Sequence, residues 1–188
     1  MAKIVVSEFV TVDGVAEDPG GAEDNDFGGW SFKFDRGPEG DKFKLDEVMA
    51  ADALLLGRLT YEGFAKAWPS MSNEFADKMN NMRKYVLSST LEHGEWTNTV
   101  VIHDLSELAG LKEQHSGDLL VNGSMRLAQA LLDAGLIDEL RLMIHPIVLG
   151  RGKRLFADSS ETWPLRTVAA EQMHDVVTLT FESASVAS

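Results

Sequence analysis

Over most of its length the chain alternates two patterns: a short apolar run of strand length, then a stretch with apolar residues three and four positions apart. Strands that alternate with helices in this way imply a parallel sheet covered on both faces. The strands read are Lys3–Val12, Ala53–Leu56, Tyr85–Leu87, Thr99–His103 and Leu119–Val121, and the helices are Asp41–Ala51, Thr60–Ala67, Ser72–Met82, Leu105–Gln114 and Ser124–Ala134. Acidic residues open the first helix, whose Leu45, Val48 and Met49 share a face; Ser72 reads as an N-cap and Gly135 as the glycine that closes the last helix. After Leu136 the texture changes. Glu139–Ile147, Leu165–Met173 and Val176–Glu182 read as consecutive antiparallel strands, so the expected fold is a mostly parallel central sheet with antiparallel C-terminal strands.

With 188 residues, 44% hydrophobic and 25% charged, the chain has apolar mass for one core, and a single domain spanning 1–188 is expected. Its formal net charge of −13 repels polyanions, which argues against nucleic acid and anionic membranes as partners. Without cysteine there is no thiolate nucleophile and no disulfide framework. MAKIVVSEFV reads as a strand and not as a signal peptide, and no stretch has membrane-spanning length, so a cytoplasmic location is expected. The 5 histidines are scattered without ligand spacing, so no metal is expected. No G-x-S-x-G or P-loop motif is present.

Ligands of parallel sheets bind beyond the carboxyl ends of the strands. Three such ends stand out: Gly57-Arg58-Leu59-Thr60, Ser88-Ser89-Thr90 and Asn122-Gly123-Ser124. Two lead into helices, whose first N–H groups lack partners and attract phosphate. Gly57 and Gly123 allow close backbone approach, Thr60 and Ser124 bring hydroxyls, and Arg58 offers a planar fork for a terminal phosphate. Each taken alone also reads as an ordinary cap, turn or surface charge; three on neighbouring strands favour the anion site. The Gly/Asp/Pro-rich Asp13–Gly29 is too long for a plain connection and reads as a lid or binding loop.

LLLGRLTYEGF resembles the strand-to-helix segment of the dihydrofolate reductase fold, and YVLSST its next strand end. LLVNGSMRLAQALLDAGLIDELRLMIHPIVLGRGKRLF resembles its last cofactor-binding turn and following strand; the part from Gly135 is closer to the C-terminal reductase domain of the riboflavin-pathway deaminase/reductase. SEFVTVDGVAEDP is similar to the first strand and lid loop of stand-alone relatives of that domain. The resemblance implies the dihydrofolate reductase-like three-layer αβα fold and an NADPH-dependent oxidoreductase that passes hydride to a pterin-like or aminopyrimidine ribosyl phosphate-like acceptor. By the same resemblance Arg58, Ser88 and Ser89 hold the adenosine side with its 2′-phosphate. Gly57, Thr60, Gly123 and Ser124 hold the pyrophosphate, and Ser7 and Gly14 lie near the nicotinamide. It also implies a homodimer through the C-terminal strands. Two departures stand out: Asn122-Gly123 replaces a glycine pair, and Leu127 replaces a tyrosine.

Reduction of an imine or carbonyl also needs a proton. Asp41 has the spacing of the dihydrofolate reductase acid, and equally suits the acidic first turn of a helix. Asp13 lies in a T-V-D-G turn, where aspartate commonly bonds its own backbone. Glu8, on a strand among apolar residues, needs a partner or a shifted pKa unless it points to solvent. Phe27, Trp30, Phe32 and Phe34 suit either a flat ligand or a core, and Arg151, Lys153 and Arg154 either a substrate phosphate or solvent. The alternative to a reductase is a nucleotide- or small-molecule-binding module on the same fold.

Overall fold

Successive side chains of a strand point to opposite faces, and here both sets are apolar. Val5, Leu54, Leu56, Val86 and Leu120 belong to one buried cluster, while Ile4, Val6, Leu55, Leu119 and Val121 belong to another. A sheet built from such strands must be covered twice. The computed structural model describes residues 1–23, 25–156 and 162–184, so Asp24 of the lid loop lies outside the described residues.

Among the described residues the strands are β1 (Ile4–Thr11), β2 (Ala51–Gly57), β3 (Arg83–Leu87), β4 (Thr99–Ile102), β5 (Asp118–Asn122), β6 (Glu139–His145), β7 (Leu165–Met173) and β8 (Val176–Ser183). They form one sheet in the order β4-β3-β2-β5-β1-β6-β8-β7. Pairing is parallel from β4 through β6, and β8 and β7 add on antiparallel, as expected. The helices are α1 (Gly37–Ala50), α2 (Arg58–Ala67), α3 (Glu74–Asn81), α4 (Glu107–Gln114) and α5 (Met125–Asp133). Val48, Tyr61 and Met79 bring α1, α2 and α3 to one face; Leu108, Leu111, Leu127 and Leu131 bring α4 and α5 to the other. The result is the three-layer αβα architecture. Among the described residues no helix is long and apolar enough to cross a membrane.

Local signals held in places and moved in others. Gly135, at φ +64, closes α5, with its N–H on Leu132 O and the Leu136 N–H on Leu131 O. The N-cap of α3 is Asn73 and not Ser72: its side chain accepts from the Ala76 N–H at 2.8 Å. Helix α1 starts at Gly37, with Pro38 in its first turn, four residues before the expected start, so Asp41 sits in the second turn. Its inner face is also different. Val48 is buried, but Met49 is exposed and Leu45 half-buried, and the side chains turned inward with Val48 are Lys44 and Glu47.

These two charges survive burial because they neutralise each other. Lys44 Nζ lies 2.6 Å from Glu47 Oε2 and donates to Ser7 Oγ at 2.8 Å, while the Ser7 hydroxyl donates to Glu47 Oε1 at 2.8 Å. Arg141 on β6 reaches Glu47 at 3.5 Å and Glu139 at 2.6 Å, which ties α1 to the centre of the sheet. Breaking one partner of such a pair leaves an uncompensated buried charge, whereas replacing both need not destabilise. Glu47→Leu is expected to lower unfolding free energy by about 3–5 kcal/mol in urea denaturation, and Lys44→Met with Glu47→Leu to recover most of it.

Candidate active site

The carboxyl ends of β1, β2, β3 and β5 share one edge of the sheet. There a cleft of about 2050 Å³ opens, walled by those strand ends, the first turns of α2 and α5, and the loop after β1. This is well above the ~300–1,000 Å³ of a pocket for one drug-sized ligand, and it suits an extended ligand with a second molecule beside it.

Two turns shape the middle of the cleft. Gly123 (φ +72) and Ser124 (φ +68) adopt consecutive left-handed conformations. A Cβ on Gly123 would meet Thr60 Cγ2 at 3.2 Å, so the turn passes close to α2. Asn122 ends β5 as its last paired residue, and the turn begins at Gly123. The Ser124 hydroxyl does not cap α5; it accepts the Gly57 N–H at 2.9 Å and so joins the two turns. Gly57 leads into α2 without a side-chain cap as well. Both helices therefore turn uncapped amino ends, through Arg58–Thr60 and Met125–Arg126, toward the cleft. This is the donor set an anionic pyrophosphate requires.

Beside it, Arg58 Nε donates to Glu62 at 2.7 Å, and a terminal guanidinium nitrogen donates to Thr90 Oγ1 at 2.7 Å. Ser88 Oγ accepts the Thr90 and Leu91 N–H groups, and Ser88 O accepts from His103 Nδ1 at 2.7 Å. Ser88, Ser89, Thr90, Arg58 and His103 all line the same end of the chain of strand termini. His103 was not among the residues singled out from the sequence; Thr90 closes the YVLSST strand end that was.

The remaining candidates fall elsewhere. Ser7 is buried with its hydroxyl committed to Lys44 and Glu47, and Gly14 (φ +81) forms the tight turn after β1, its carbonyl accepting the Leu155 N–H. Neither Ser7 nor Gly14 nor Asp13 lines the cleft. Asp13 accepts from the Thr11 hydroxyl at 2.6 Å and from the Leu149 and Gly150 N–H groups, and these bonds, the Thr11 one foremost, hold its pKa down to about 2. It is an anchor for the lid in ionised form, which argues against a proton-donating role. Asp41 lines the cleft but is exposed and paired with Arg36 at 2.6 Å.

Glu8 is different: it is 4% exposed on β1, lines the cleft, and its Oε1 has no hydrogen-bond partner. Burial pushes its carboxyl up to about 8, with Lys44 opposing. Of the aromatics expected near the lid, Phe32 lines the cleft, whereas Trp30 is fully buried edge-on to His145 and Phe34 packs on the same ring. The sequence reading missed a second aromatic wall. Phe64 and Phe75 both pack on Trp68 along the cleft with Met71; the four-residue spacing of Phe64 on α2 and Trp68 just after it was its visible sign.

The lid loop is latched to the segment after β6. Arg151 pairs with Asp26 at 3.0 Å, the Lys153 N–H and ammonium both reach Glu17, Arg154 Nε donates to Asp13 O, and Val15 bridges Arg154. All three cations hold the lid. Among the described residues no group of three histidine, aspartate or glutamate side chains converges as a metal site.

A family model for the RibD C-terminal domain matches residues 2–179. The chain belongs to the RibD C-terminal domain family. Within that reductase family it is similar to the uncharacterized protein YyaP of Bacillus subtilis (strain 168), 29% identical over 173 residues that cover 88% of this chain and 86% of YyaP. A solved structure of a putative riboflavin biosynthesis protein from Shewanella sp. PV-4 superposes with a TM-score of 0.78 at 20% identity, covering 98% of this chain and 100% of that one. Dihydrofolate reductase from Enterococcus faecalis, solved in complex with NADP(H), superposes with a TM-score of 0.62 at 16% identity and 97% coverage of both chains. The RibD C-terminal domain fold is thus of the dihydrofolate reductase-like kind.

The raised Glu8 pKa has a consequence for this RibD-type domain that can be measured without ligand. Between its ordinary value of 4.5 and about 8, the native state keeps a proton that the unfolded chain has lost. The Glu8 contribution to stability is therefore fully present below 4.5 and is lost as pH rises to about 8. His145, whose pKa burial lowers, acts in the opposite sense near neutrality, and Lys84, lowered to about 8 by burial, acts above that pH. Comparison with Glu8→Gln isolates the effect: across this window the wild-type urea midpoint should fall relative to that of the variant.

Proposed function

We propose that this chain is an NADPH-dependent reductase acting on a small flat acceptor, a pterin-like or aminopyrimidine ribosyl phosphate-like compound. The observation that carries the reading is the pair of uncapped amino ends of α2 and α5, joined by the Gly57–Ser124 hydrogen bond and opening on one cleft. Gly57, Thr60, Gly123 and Ser124 would hold the pyrophosphate between them. Arg58, with Ser88, Ser89 and Thr90, would hold the adenosine side and its 2′-phosphate, since a guanidinium recognises a phosphate dianion by charge and by its fork. The bound nicotinamide supplies a hydride. The protein's part is orientation and exclusion of water, for which the latched loop after β1 is placed beside the strand ends. NADP(H) in the Enterococcus faecalis dihydrofolate reductase structure, on the same fold, supports the choice of cofactor. The acceptor would lie in the cleft beside the end of β1, with Phe64, Trp68 and Phe75 forming an aromatic wall of the same cleft. A homodimer belongs to the same reading, because β7 is an edge strand that leaves Leu165 and Val168 exposed.

The test is nucleotide binding followed through the 4 tryptophans, of which Trp68 lines the cleft. NADPH should quench their emission with saturation and NADH should bind more weakly. Arg58→Ala should weaken NADPH about tenfold or more while changing NADH little, as expected for loss of one charge-assisted phosphate contact. Absence of quenching and of calorimetric heat with either coenzyme at millimolar concentration would refute the proposal. Binding without oxidation by any acceptor would favour the binding-module alternative.

A further inference from the structure

Of the four carboxylates buried among the described residues, Glu8, Asp18, Glu47 and Glu139, two have a cation beside them. Glu47 has Lys44 and Arg141, and Glu139 has Arg141 and Lys3. Among the described residues Glu8 and Asp18 have none within ion-pair distance; Asp18 accepts the Glu23 N–H through Oδ1, whereas Glu8, a residue of the cleft wall, has a buried Oε1 without a hydrogen-bond partner. A buried polar atom left in that state in a residue that walls a binding cavity calls for completion by whatever the cavity binds. The same cleft wall includes Phe9, Ala16 of the loop after β1 and Leu127 of α5, none of which can accept a proton or donate a side-chain hydrogen bond.

We propose that Glu8 is the proton donor of this site, giving its carboxyl proton to the lone pair of the nitrogen or oxygen in the group that is reduced. The assignment rests on the reductase reading and adds to it the acid that Asp13 and Asp41 do not supply. The hydride comes from the bound dinucleotide. The C=N or C=O π bond of the acceptor breaks, its carbon takes the hydride, its heteroatom forms a new bond to the Glu8 proton, and Glu8 is left as a carboxylate that regains a proton from solvent after product leaves.

The charges around Glu8 permit it to stay protonated. From α1 only Lys44 acts on it, and that ammonium is already neutralised by Glu47 at 2.6 Å. Arg36, also on the α1 side, is paired with Asp41. The lid brings Glu17 and Asp18, with Glu23 beyond, and the cation at its rim, Lys153, is held by Glu17. From α5, Arg126 is exposed, and from β6 the ring of His145 lies behind Phe9 at 5.2 Å between centroids, kept neutral by burial. Burial holds the Glu8 proton to about pH 8, so the acid is loaded at neutral pH. A neutral acid offers a hydrogen bond to a lone pair, which selects an uncharged imine or carbonyl over a preformed cation. The aromatic wall selects a flat conjugated frame around it.

Two measurements decide the proposal. In the free protein labelled with carbon-13 at the glutamate side-chain carboxyl, one resonance should titrate near pH 8 and vanish in Glu8→Gln; titration of Glu8 near 4.5 overturns the assignment whether or not turnover is found. With NADPH and either 7,8-dihydrofolate as a C=N probe or 9,10-phenanthrenequinone as a C=O probe, Glu8→Gln should lower kcat about 10²–10⁴-fold. It should leave NADPH quenching within about twofold, and the wild-type fall in kcat/KM above about pH 8 should be absent. Glu8→Asp, which restores the carboxyl, should regain part of the rate. A Glu8→Gln enzyme that keeps kcat within about threefold and the wild-type pH profile overturns the proposal. Failure of the wild type to bind NADPH would instead strike the reductase reading, which the carboxyl titration does not depend on.

Discussion

Everything at the candidate site follows from the parallel pairing of β2, β3, β5 and β1. Parallel strands all end at one edge, so the residues that follow them converge although they are far apart in the chain. Ser124 reaches the backbone of Gly57 only because β5 lies between β1 and β2. That one hydrogen bond couples two helix amino ends into a single anion-binding feature. It also explains why Ser124 tolerates a left-handed backbone, which a residue with a Cβ rarely adopts without compensation.

The protein manages its buried charges in two distinct ways. Lys44, Glu47, Arg141 and Glu139 form a connected set below the cleft, in which each charge is matched, and this set fixes α1 against β1 and β6. Glu8, on the same strand as Ser7 but pointing to the other face, is left out of that set. Alternation along a strand separates the two environments by one residue: the Ser7 hydroxyl serves the ion cluster, and the Glu8 carboxyl is free for the cleft. The lid uses a third arrangement, in which Arg151, Lys153 and Arg154 bind acidic side chains and carbonyls at the rim. The Arg151–Asp26 pair among them is exposed and therefore screened by salt.

Much of this was legible before the structure. The mostly parallel sheet with its antiparallel edge, the strand ends at Gly57, Ser88 and Gly123, and the closing glycine at 135 rest on local patterns that the tertiary structure did not override. The errors share a cause as well. Helix α1 was given the wrong inner face because Lys44 and Glu47 look like surface residues, and only Ser7 and Arg141, which lie 37 and 94 residues away from them, make their burial affordable. Asp41 fits the acid of dihydrofolate reductase by spacing, but a helix that begins four residues earlier carries it out to Arg36. Trp30 and Phe34 suited either a flat ligand or a core, and a buried histidine on β6 takes both into the core.

What the sequence determined by itself is the part governed by short-range physics: which segments are strands or helices, which ends carry glycine and hydroxyl groups, and that both faces of the sheet are apolar. What only the tertiary structure decided is which charges are solvated and which are not. Glu8 and Glu47 are the same residue type, both buried, yet one is an ion paired at 2.6 Å and the other a carboxyl whose Oε1 has no partner. The state of a carboxyl is set by the groups that surround it in space, and a linear pattern does not carry that information.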